Sequence, residues 1–421
     1  MGIDGSPRLH DSGAMTPPST PTREAHGKLG SSSSLRDSFD SLRRGNSISY
    51  GHRPSIDEKE KPGSTEPRVF PHWSTDYDIE VDHKGRKKPL GSGAWSKVYR
   101  ATPCLPKLDG LAPMSLTSGV DMTPPVTPVR SRDTSLSKTD VPHMPSAYAI
   151  KEPSGRTAQR VLGGECRILS YLSRFPDAEK YIVPFYGQDM RTESLVLGLM
   201  DGTLEDWIQK EMNELPEESR ATKLAEVFPI LASQLLDGFL WITQKRCTHG
   251  DLKPANILVS SSPTTPTSPP HAVFTDFSSS ILTTSLDPSK KPVGGGTYDY
   301  LDPTLMTKAS ATTLPTPETD LWGLAITLLV VVLGASPYHR VASSEVMKRE
   351  IIKQGDPLAW LGQGDNGGRN MLRLRALEKA LAWDVTRWFR AVLVKDVSGR
   401  VGAGEWRDQL EQGVGKKGSK M

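Results

Sequence analysis

The stretch "THGDLKPANILV", residues Thr248–Val259, places four chemically useful side chains just ahead of an apolar run. His249, Asp251, Lys253 and Asn256 fall within eight residues, and the sequence then continues as Ile-Leu-Val. The apolar run predicts a short buried strand. The polar residues before it allow two interpretations: a solvated turn that leads into the strand, or a loop that handles a phosphoryl group. The rest of the chain has to decide between them.

The side chains of this stretch suit phosphoryl transfer. Asp251 can accept a proton from a hydroxyl group or orient it, and Lys253 can neutralise charge on the transferring group. Asn256 offers an amide oxygen, which Mg²⁺ accepts as a ligand. Asp276 comes directly after the apolar segment "AVFT" and can serve the same metal. Each residue has an ordinary structural explanation when taken singly, but their order along the chain favours one common site.

Two further motifs lie upstream. "GSGAWS" (Gly91–Ser96) falls between two predicted strands, where glycine lets the backbone approach phosphate closely. Alone it predicts a plain hairpin, and it is not a P-loop because no Gly-Lys-Ser/Thr follows. Lys151 ends the apolar segment "YAI", and Glu165 lies on the next predicted helix. Their ordinary explanations are a solvated edge charge and an exposed helix charge; the alternative is a pair that reaches phosphates.

Strand patterns dominate the first part of the ordered chain, and helical patterns dominate the second. The segment Arg156–Leu172 has apolar residues at helical spacing, and Thr203 is a candidate N-cap. A long apolar helix is predicted to be interrupted near Pro229. Leu321–Leu333 is too short to span a membrane, so a buried core helix is expected. Two lobes of unequal character imply a cleft, which is a favoured place for ligands.

Composition limits the other possibilities. The chain has 421 residues and a net charge of +3, too small to favour nucleic acid as the main partner. Residues 1–70 and 102–146 are rich in Ser and Pro and are expected to be disordered. The three cysteines form no disulfide or metal pattern, and no signal peptide or transmembrane segment is recognised. We therefore expect an intracellular protein, cytoplasmic and/or nuclear.

In combination, the motifs resemble the signature set of the eukaryotic protein kinase family, from about Tyr77 to Gln412. The later segments "GGGTYDYLDPT" and "TDLWGLAITLL", and Arg400 in "KDVSGR", also resemble that family. The resemblance implies an α+β, two-lobed protein kinase-like fold, with a small β-rich N-lobe and a larger α-helical C-lobe. It places the domain at 71–412, with the N-lobe at about 71–198 including the insertion 102–146, and the C-lobe at about 199–412. Residues 1–70 would be a disordered tail and 413–421 a basic tail.

The resemblance also implies ATP and Mg²⁺ as cofactors. The catalytic residues would be Asp251, Lys253, Lys151 and Glu165, and the metal ligands Asn256 and Asp276. The hinge would fall around 198–200, with Leu197 at the back of the adenine pocket. The nucleotide would contact Leu90, Gly91, Ser92, Gly93, Ala94, Trp95, Ser96, Val98, Ala149, Lys151, Leu197 and Leu199. Lys253, two residues after the catalytic Asp, and Thr297 are similar to the serine/threonine type, which acts on protein substrates.

The sequence departs from the family at four places. Gly250 replaces the usual arginine that pairs with a phosphate on the activation segment. Ser278 replaces the glycine of Asp-Phe-Gly, which is expected to affect a conformational switch more than the chemistry. Asp302-Pro303-Thr304 replaces Ala-Pro-Glu, so Arg400 has either another partner, with Glu318 and Asp302 as candidates, or none. The insertion 102–146 is the fourth, and loop length is thermodynamically cheap.

Two other functions stay open. A pseudokinase, acting as an ATP-binding or scaffold module, is the main alternative to an active enzyme, and a small-molecule kinase is a third. Proline-directed or basophilic kinases are also possible upstream partners on the tail and insertion. Their candidate sites are Thr16, Thr20, Ser47, Thr123 and Thr127. Chance occurrence in a low-complexity linker explains these sites equally well.

Overall fold

The structure, a computed structural model, describes residues 62–106, 145–260, 269–283, 296–306 and 314–415. The strands are β1 Asp76–Ile79, β2 Pro89–Ser92, β3 Ser96–Cys104, β4 Tyr148–Pro153, β5 Phe185–Asp189, β6 Ser194–Gly198, β7 Gly202–Thr203, β8 Cys247–Thr248, β9 Ile257–Ser260, β10 His271–Phe274 and β11 Ile281–Leu282. The helices are α1 Arg156–Leu172, α2 Leu204–Trp207, α3 Glu217–Gln244, α4 Pro317–Leu333, α5 Glu345–Gln354, α6 Gly367–Leu381, α7 Val385–Arg390 and α8 Ala403–Gly415.

An antiparallel sheet forms the first lobe. Its strands follow the order β1-β3-β4-β6-β5, and β2 pairs with β3. Helix α1 packs against this sheet and spans the residues that its periodicity predicts. The two-lobed α+β fold expected from the sequence is therefore confirmed, with this sheet and α1 as the smaller lobe.

The folded domain begins before the predicted boundary at residue 71. Phe70 is only 1% exposed and packs with Tyr148, Ile150 and Val196 on one face of the sheet. Its N–H donates to the carbonyl oxygen of Gln188 at 2.9 Å. The predicted tail 1–70 is therefore too long by the residues 62–70. One buried aromatic among polar neighbours gives no periodic signal, which is why the sequence pattern misses this segment.

Helices make up most of the second lobe, where α3 contacts α4, α6 and α8. Helix α4 is buried from Thr319 to Leu333, which confirms the predicted core helix. Helix α3 runs without a break through Pro229, so the predicted interruption is wrong. A proline inside a helix removes one backbone hydrogen bond. Burial of the apolar residues around it, such as Phe228 and Leu231, offsets that loss.

Helix α3 is also, among the described residues, the one helix long and apolar enough to cross a membrane. More than half of its most apolar window is buried inside the domain, which is typical of a core helix. The helix before it begins as predicted. Thr203 forms a capping box with Asp206, whose N–H donates to the threonine hydroxyl oxygen at 3.0 Å.

The other predicted boundaries need small corrections. Strand β3 continues to Cys104, so the insertion begins later than residue 102, and Ala147 is buried at its other side. Residues 107–144 of the insertion lie outside the described part. Helix α8 continues to Gly415, and Gly413 is buried against Trp383. The predicted domain end at 412 is therefore a few residues early, because the polar composition of this last turn hides its packing.

Candidate active site

The glycine-rich turn joins β2 to β3. Gly93 donates its N–H to the carbonyl oxygen of Ser96 at 2.8 Å, which closes the turn. A Cβ on Gly91 would meet no atom within 4 Å, so the turn is open there. The carbonyl oxygen of Trp95 accepts the N–H of Ser154 at 2.8 Å. One continuous hairpin segment next to the end of β4 therefore holds all the contacts predicted here: Leu90, Gly91, Ser92, Gly93, Ala94, Trp95 and Ser96.

The residues predicted to surround the nucleotide base occupy matching positions on neighbouring strands. Val98 pairs with Lys151 across β3 and β4, and Ala149 pairs with Leu197 across β4 and β6. Because alternate residues of a strand share a face, Ala149 and Lys151 lie on the same face of β4. Leu197 is buried in the main core, and Leu199 is half-buried just after β6 ends. The structure therefore brings the predicted adenine-side residues onto adjacent strands.

Lys151 holds two carboxylates. Its Nζ lies 2.7 and 2.8 Å from the carboxylate oxygens of Glu165, and 3.0 Å from Oδ1 of Asp276. Lys151 and Glu165 are almost fully buried, whereas 38% of the Asp276 side chain stays exposed. Burial works against a charged lysine, but the two carboxylates outweigh it and raise the pKa of Lys151. The strand, α1 and the segment after β10 are thus joined by one ammonium group.

The pKa of Asp276 moves in the opposite direction to that of Glu165. Burial alone would raise the pKa of Asp276, but the Lys151 ammonium and a hydrogen bond from Ser278 lower it overall. Burial also raises the pKa of Glu165, and here it exceeds the effect of Lys151. The Lys151 ammonium and Ser278 thus favour the ionised form of Asp276, which is the form in which a carboxylate binds a cation.

Asp251, Lys253, Asn256 and Thr297 form a second cluster. Lys253 Nζ lies 2.8 Å from Asp251 Oδ2 and 2.7 Å from Thr297 Oγ1. Thr297 donates its backbone N–H to Asp251 Oδ1 at 3.0 Å, and Asn256 donates its Nδ2–H to Asp251 Oδ2 at 3.0 Å. Donors from its own loop and from Thr297 thereby fix the Asp251 carboxylate in one orientation.

Asp320 on α4 holds the backbone of the loop that carries Asp251. Its carboxylate accepts the N–H of Gly250 at 2.9 Å and the N–H of His249. The His249 ring packs against the Phe277 ring with centroids 4.9 Å apart, and its Nε2 lies 2.9 Å from the Thr275 carbonyl oxygen. Burial lowers the pKa of His249, which keeps the ring neutral. Asp320 therefore braces the backbone of this loop through two hydrogen bonds.

Gly250 stands where the backbone needs glycine. Its φ is +80°, and a Cβ there would lie 2.4 Å from the carbonyl oxygen of Ser279. Ser280 Oγ donates to the His249 carbonyl oxygen at 2.9 Å, and β11 pairs with β8 just beyond. The segment after Asp276 therefore packs directly on the loop that carries Asp251. The Ser279 carbonyl oxygen lies where the side chain of the usual arginine would begin.

Ser278 fits its position without strain. It lies in a short 3₁₀ turn, Phe277–Ser279, and is not among the residues with positive φ, whereas Asp276 itself has φ +58°. The Ser278 side chain also forms a hydrogen bond with the Asp276 carboxylate. The backbone restriction of a Cβ therefore imposes no cost in this arrangement, and the hydroxyl helps to orient the carboxylate.

Arg400 finds its partner in Asp302, one of the two candidates. The ion pair is buried, with 2% and 0% of the side chains exposed. Glu318 contributes only its backbone oxygen, which accepts from Arg400 at 3.2 Å. Thr304 donates its hydroxyl to the other oxygen of Asp302 at 2.6 Å. The carboxylate that the family carries at position 304 has thus moved to position 302, with the same arginine as partner.

The predicted metal ligands fit a magnesium ion. Asn256 uses its Nδ2 as donor to Asp251, which leaves its amide oxygen available as a ligand. Asp276 is ionised and partly exposed. In the part of the chain that the structure describes, no group of three His, Cys, Asp or Glu side chains comes together. One carboxylate and one amide oxygen suit Mg²⁺, which takes few protein ligands and keeps waters and substrate phosphates.

Sequence patterns missed three residues that contribute to this region. The Ser279 carbonyl oxygen fills the space beside Gly250, and a glycine in place of a long side chain was the available signal. Arg68 and Arg174 were also missed; they attach the segment before residue 71 to the end of α1. No pattern in a polar segment indicates such a contact.

Comparison with known proteins agrees with the geometry. The family model described as "Protein kinase domain" matches residues 146–406, more than half of the chain. The chain is 32% identical over 155 residues to mitogen-activated protein kinase kinase 1c of Physcomitrium patens, covering 36% of this chain and 38% of that protein. It is 26% identical over 212 residues to serine/threonine-protein kinase ISR1 of Eremothecium gossypii, covering 47% and 54%.

A third relative is Aurora kinase of Candida glabrata, 28% identical over 120 residues, which covers 28% of this chain and 30% of that protein. The chain thus spans between about a third and about half of the length of these curated relatives. The family-model match begins after β1, β2 and β3, which precede the insertion.

Proposed function

The chain belongs to the protein kinase family, and on that premise we propose that it transfers the γ-phosphoryl group of ATP to serine and threonine residues of protein substrates. The observation that carries the proposal is that the contacts around Lys151 and those around Asp251 are all formed in the same structure. Lys151 contacts Glu165 and Asp276, and Asp251 is held by donors from its own loop and from Thr297. Phosphoryl transfer in this family needs the lysine–glutamate pair and the metal-binding aspartate in place together.

In the proposed reaction, the turn Gly91–Ser96 covers the ATP phosphates, and Lys151 neutralises them while Glu165 holds its ammonium in place. Asp276 and Asn256 would hold Mg²⁺, which would supply positive charge near the phosphate oxygens when bound. Asp251 orients the substrate hydroxyl and accepts its proton, and Lys253 stabilises charge on the transferring group. Catalysis then consists mainly of positioning and electrostatic stabilisation.

The serine/threonine preference is supported by Lys253 and Thr297. Their side chains contact each other and Asp251, so both lie beside the carboxylate that would orient the substrate hydroxyl. The names of the relatives point to the same class of acceptor. The proposal also includes protein substrates and upstream kinases. The candidate sites for those kinases all lie outside the described residues: Thr16, Thr20, Ser47, Thr123 and Thr127.

An intracellular location, cytoplasmic and/or nuclear, belongs to the proposal as well. Cys104, Cys166 and Cys247 are all among the described residues and form no disulfide, which suits a reducing compartment. The proposal also includes phosphate-independent ordering at the catalytic loop. Gly250 offers no cation there. The Ser279 carbonyl oxygen packs beside Gly250, and the Ser280 hydroxyl donates to the His249 carbonyl oxygen, which docks the following segment.

The test uses Asp251→Asn in the full chain, with Asp365→Asn on an exposed loop as the matched control. Transfer from labelled ATP to a generic protein substrate should fall by about 10²-fold or more in the Asp251 variant, because the hydroxyl loses its acceptor and orienting group. The control should keep full activity. Undiminished transfer by the Asp251 variant would contradict the role of Asp251 in orienting the substrate hydroxyl and accepting its proton.

A thermal-shift titration with ATP and Mg²⁺ separates the enzyme from the pseudokinase. Nucleotide binding raises the unfolding temperature whether or not transfer follows. A shift together with turnover supports the proposal. A shift without turnover in the wild-type chain would indicate a pseudokinase.

A further inference from the structure

Residues Ser64–Phe70, which we call the N-terminal strap, attach to the end of helix α1. The Arg68 N–H donates to Ser170 Oγ at 2.8 Å. Arg174 Nη1 donates to the carbonyl oxygens of Ser64 at 2.7 Å and Glu66 at 2.8 Å. Ser170 is fully buried. The strap thus contacts one buried hydroxyl in the last turn of α1 and one guanidinium just beyond that helix. It lies outside the region that the family model matches.

The same strap is fixed to strand β5. Gln188 donates its N–H to the Arg68 carbonyl oxygen at 2.8 Å, and Phe70 donates its N–H to the Gln188 carbonyl oxygen at 2.9 Å. The approach is so close that position 187 requires glycine. Gly187 has φ +133°, and a Cβ there would lie 2.6 Å from the Phe70 backbone nitrogen. The contact is specific, because the strap and β5 both contribute backbone groups and Gly187 leaves space for them.

Phe70 gives the strap an apolar anchor. Its ring contacts the rings of Tyr77 and Tyr148 edge-on, with centroids 5.7 and 5.8 Å apart. Ile150 and Val196 complete the cluster beneath it. Strand β4, which carries Lys151, therefore packs under the strap on one face and presents its lysine on the other, since Ile150 and Lys151 are neighbours.

Helix α1 connects this anchor to the candidate active site. Glu165, the partner of Lys151, lies five residues before Ser170, which is about one and a half helical turns. Arg174 lies just beyond α1 and donates to the Ser170 carbonyl oxygen at 3.2 Å. Because a helix moves as a unit, contacts that fix its last turn at Ser170 also limit the position of Glu165. The strap binds the two elements, α1 and the sheet, whose relative placement decides whether Glu165 reaches Lys151.

We propose that the N-terminal strap is a positioning element that holds α1 where Glu165 pairs with Lys151. This inference rests on the proposed function, since the pair matters for transfer. It assigns no contact with substrate to the strap. Its residues act through the helix, so their loss lowers the fraction of molecules with a formed Lys151–Glu165 pair.

The test compares Ser170→Ala and Arg174→Gln in the full chain with Arg160→Gln, an exposed arginine on the same helix. The first two variants should lower kcat by about five-fold, the effect of one typical hydrogen bond, with an unchanged KM for the protein substrate. The Arg160 control should retain the wild-type kcat. Equal kcat in all three variants would overturn the inference.

A double-variant cycle distinguishes positioning from general destabilisation. In a Glu165→Gln background, Arg174→Gln should produce no further loss of kcat, because the pair that the strap supports is already broken. A further five-fold loss in that background would show that the strap acts elsewhere, and the inference would be wrong.

Hydrogen exchange gives a readout that does not depend on turnover. Backbone amides of α1 around Glu165 should exchange faster in Ser170→Ala and Arg174→Gln than in the wild type and in Arg160→Gln. If the wild-type chain transfers no phosphate, faster exchange still supports the strap while the proposed function fails. Unchanged exchange in α1 contradicts the strap even if the enzyme is active.

Discussion

Gly250 determines how the catalytic loop and the following segment fit together. The Ser279 carbonyl oxygen occupies the space that a side chain at position 250 would need. The arginine usual in the family could enter only if that backbone moved. The loss of this arginine is therefore matched by a direct backbone contact, which connects one residue to the mode of ordering proposed above.

Gly250→Ala should destabilise the fold by about 2 kcal/mol or more, because it combines left-handed backbone strain with a clash. Gly85→Ala is the matched control: Gly85 has φ +72°, and a Cβ there meets no atom within 4 Å. The control should cost about 1 kcal/mol, the strain alone. Urea unfolding of both variants measures the difference. Equal losses would mean that the Ser279 contact is not tight.

Asp302 shows how an ion pair can be kept while its carboxylate changes position. Asp302→Ala would leave Arg400 buried without its partner, which typically costs about 3 to 5 kcal/mol. Adding Thr304→Glu restores the family's arrangement of Ala-Pro-Glu, so it should recover much of that loss. Thermal unfolding of the single and double variants checks this. No recovery would show that the surroundings of position 304 cannot accept a carboxylate.

Among the elements, those with a strong local pattern could be predicted from the sequence. Helix α1 follows its 3.6-residue periodicity, and α4 follows its continuous apolar run. Thr203 caps α2 through the short-range geometry that its sequence predicts. At Pro229 the local pattern predicted a break that helix α3 does not have, because burial of a long apolar face outweighs one missing hydrogen bond.

The connection between β3 and β4 gives a prediction at this scale. The strands are paired from Ser96↔Pro153 to Ala101↔Tyr148, so their register does not depend on the insertion. Replacing residues 107–144 by a short Gly/Ser linker should leave transfer activity intact and raise stability by about 1 to 2 kcal/mol through a smaller loop-closure cost. Activity and urea unfolding are the measurements. Loss of folding would mean that the insertion itself takes part in the structure.

For the whole molecule, the candidate site could be predicted further than the domain boundaries. Lys151, Glu165, Asp251, Asn256 and Asp276 were recognisable because each chemical role demands one residue type at a fixed spacing. Their contacts with one another follow from the fold that this spacing implies. The strap could not be predicted, because most of its contacts use backbone groups, and its one buried aromatic ring stands alone in a polar segment without periodicity.

The order of the strands has a practical consequence for how this domain is isolated. The region matched by the family model starts at residue 146, yet β4 has β3 as its neighbour on one side and β6 on the other. A fragment cut at that match would turn β4 into a bare edge with unpaired N–H and C=O groups. Such edges recruit strands from other molecules. Aggregation of that fragment would then report a misplaced cut and would say nothing about the stability of the intact protein.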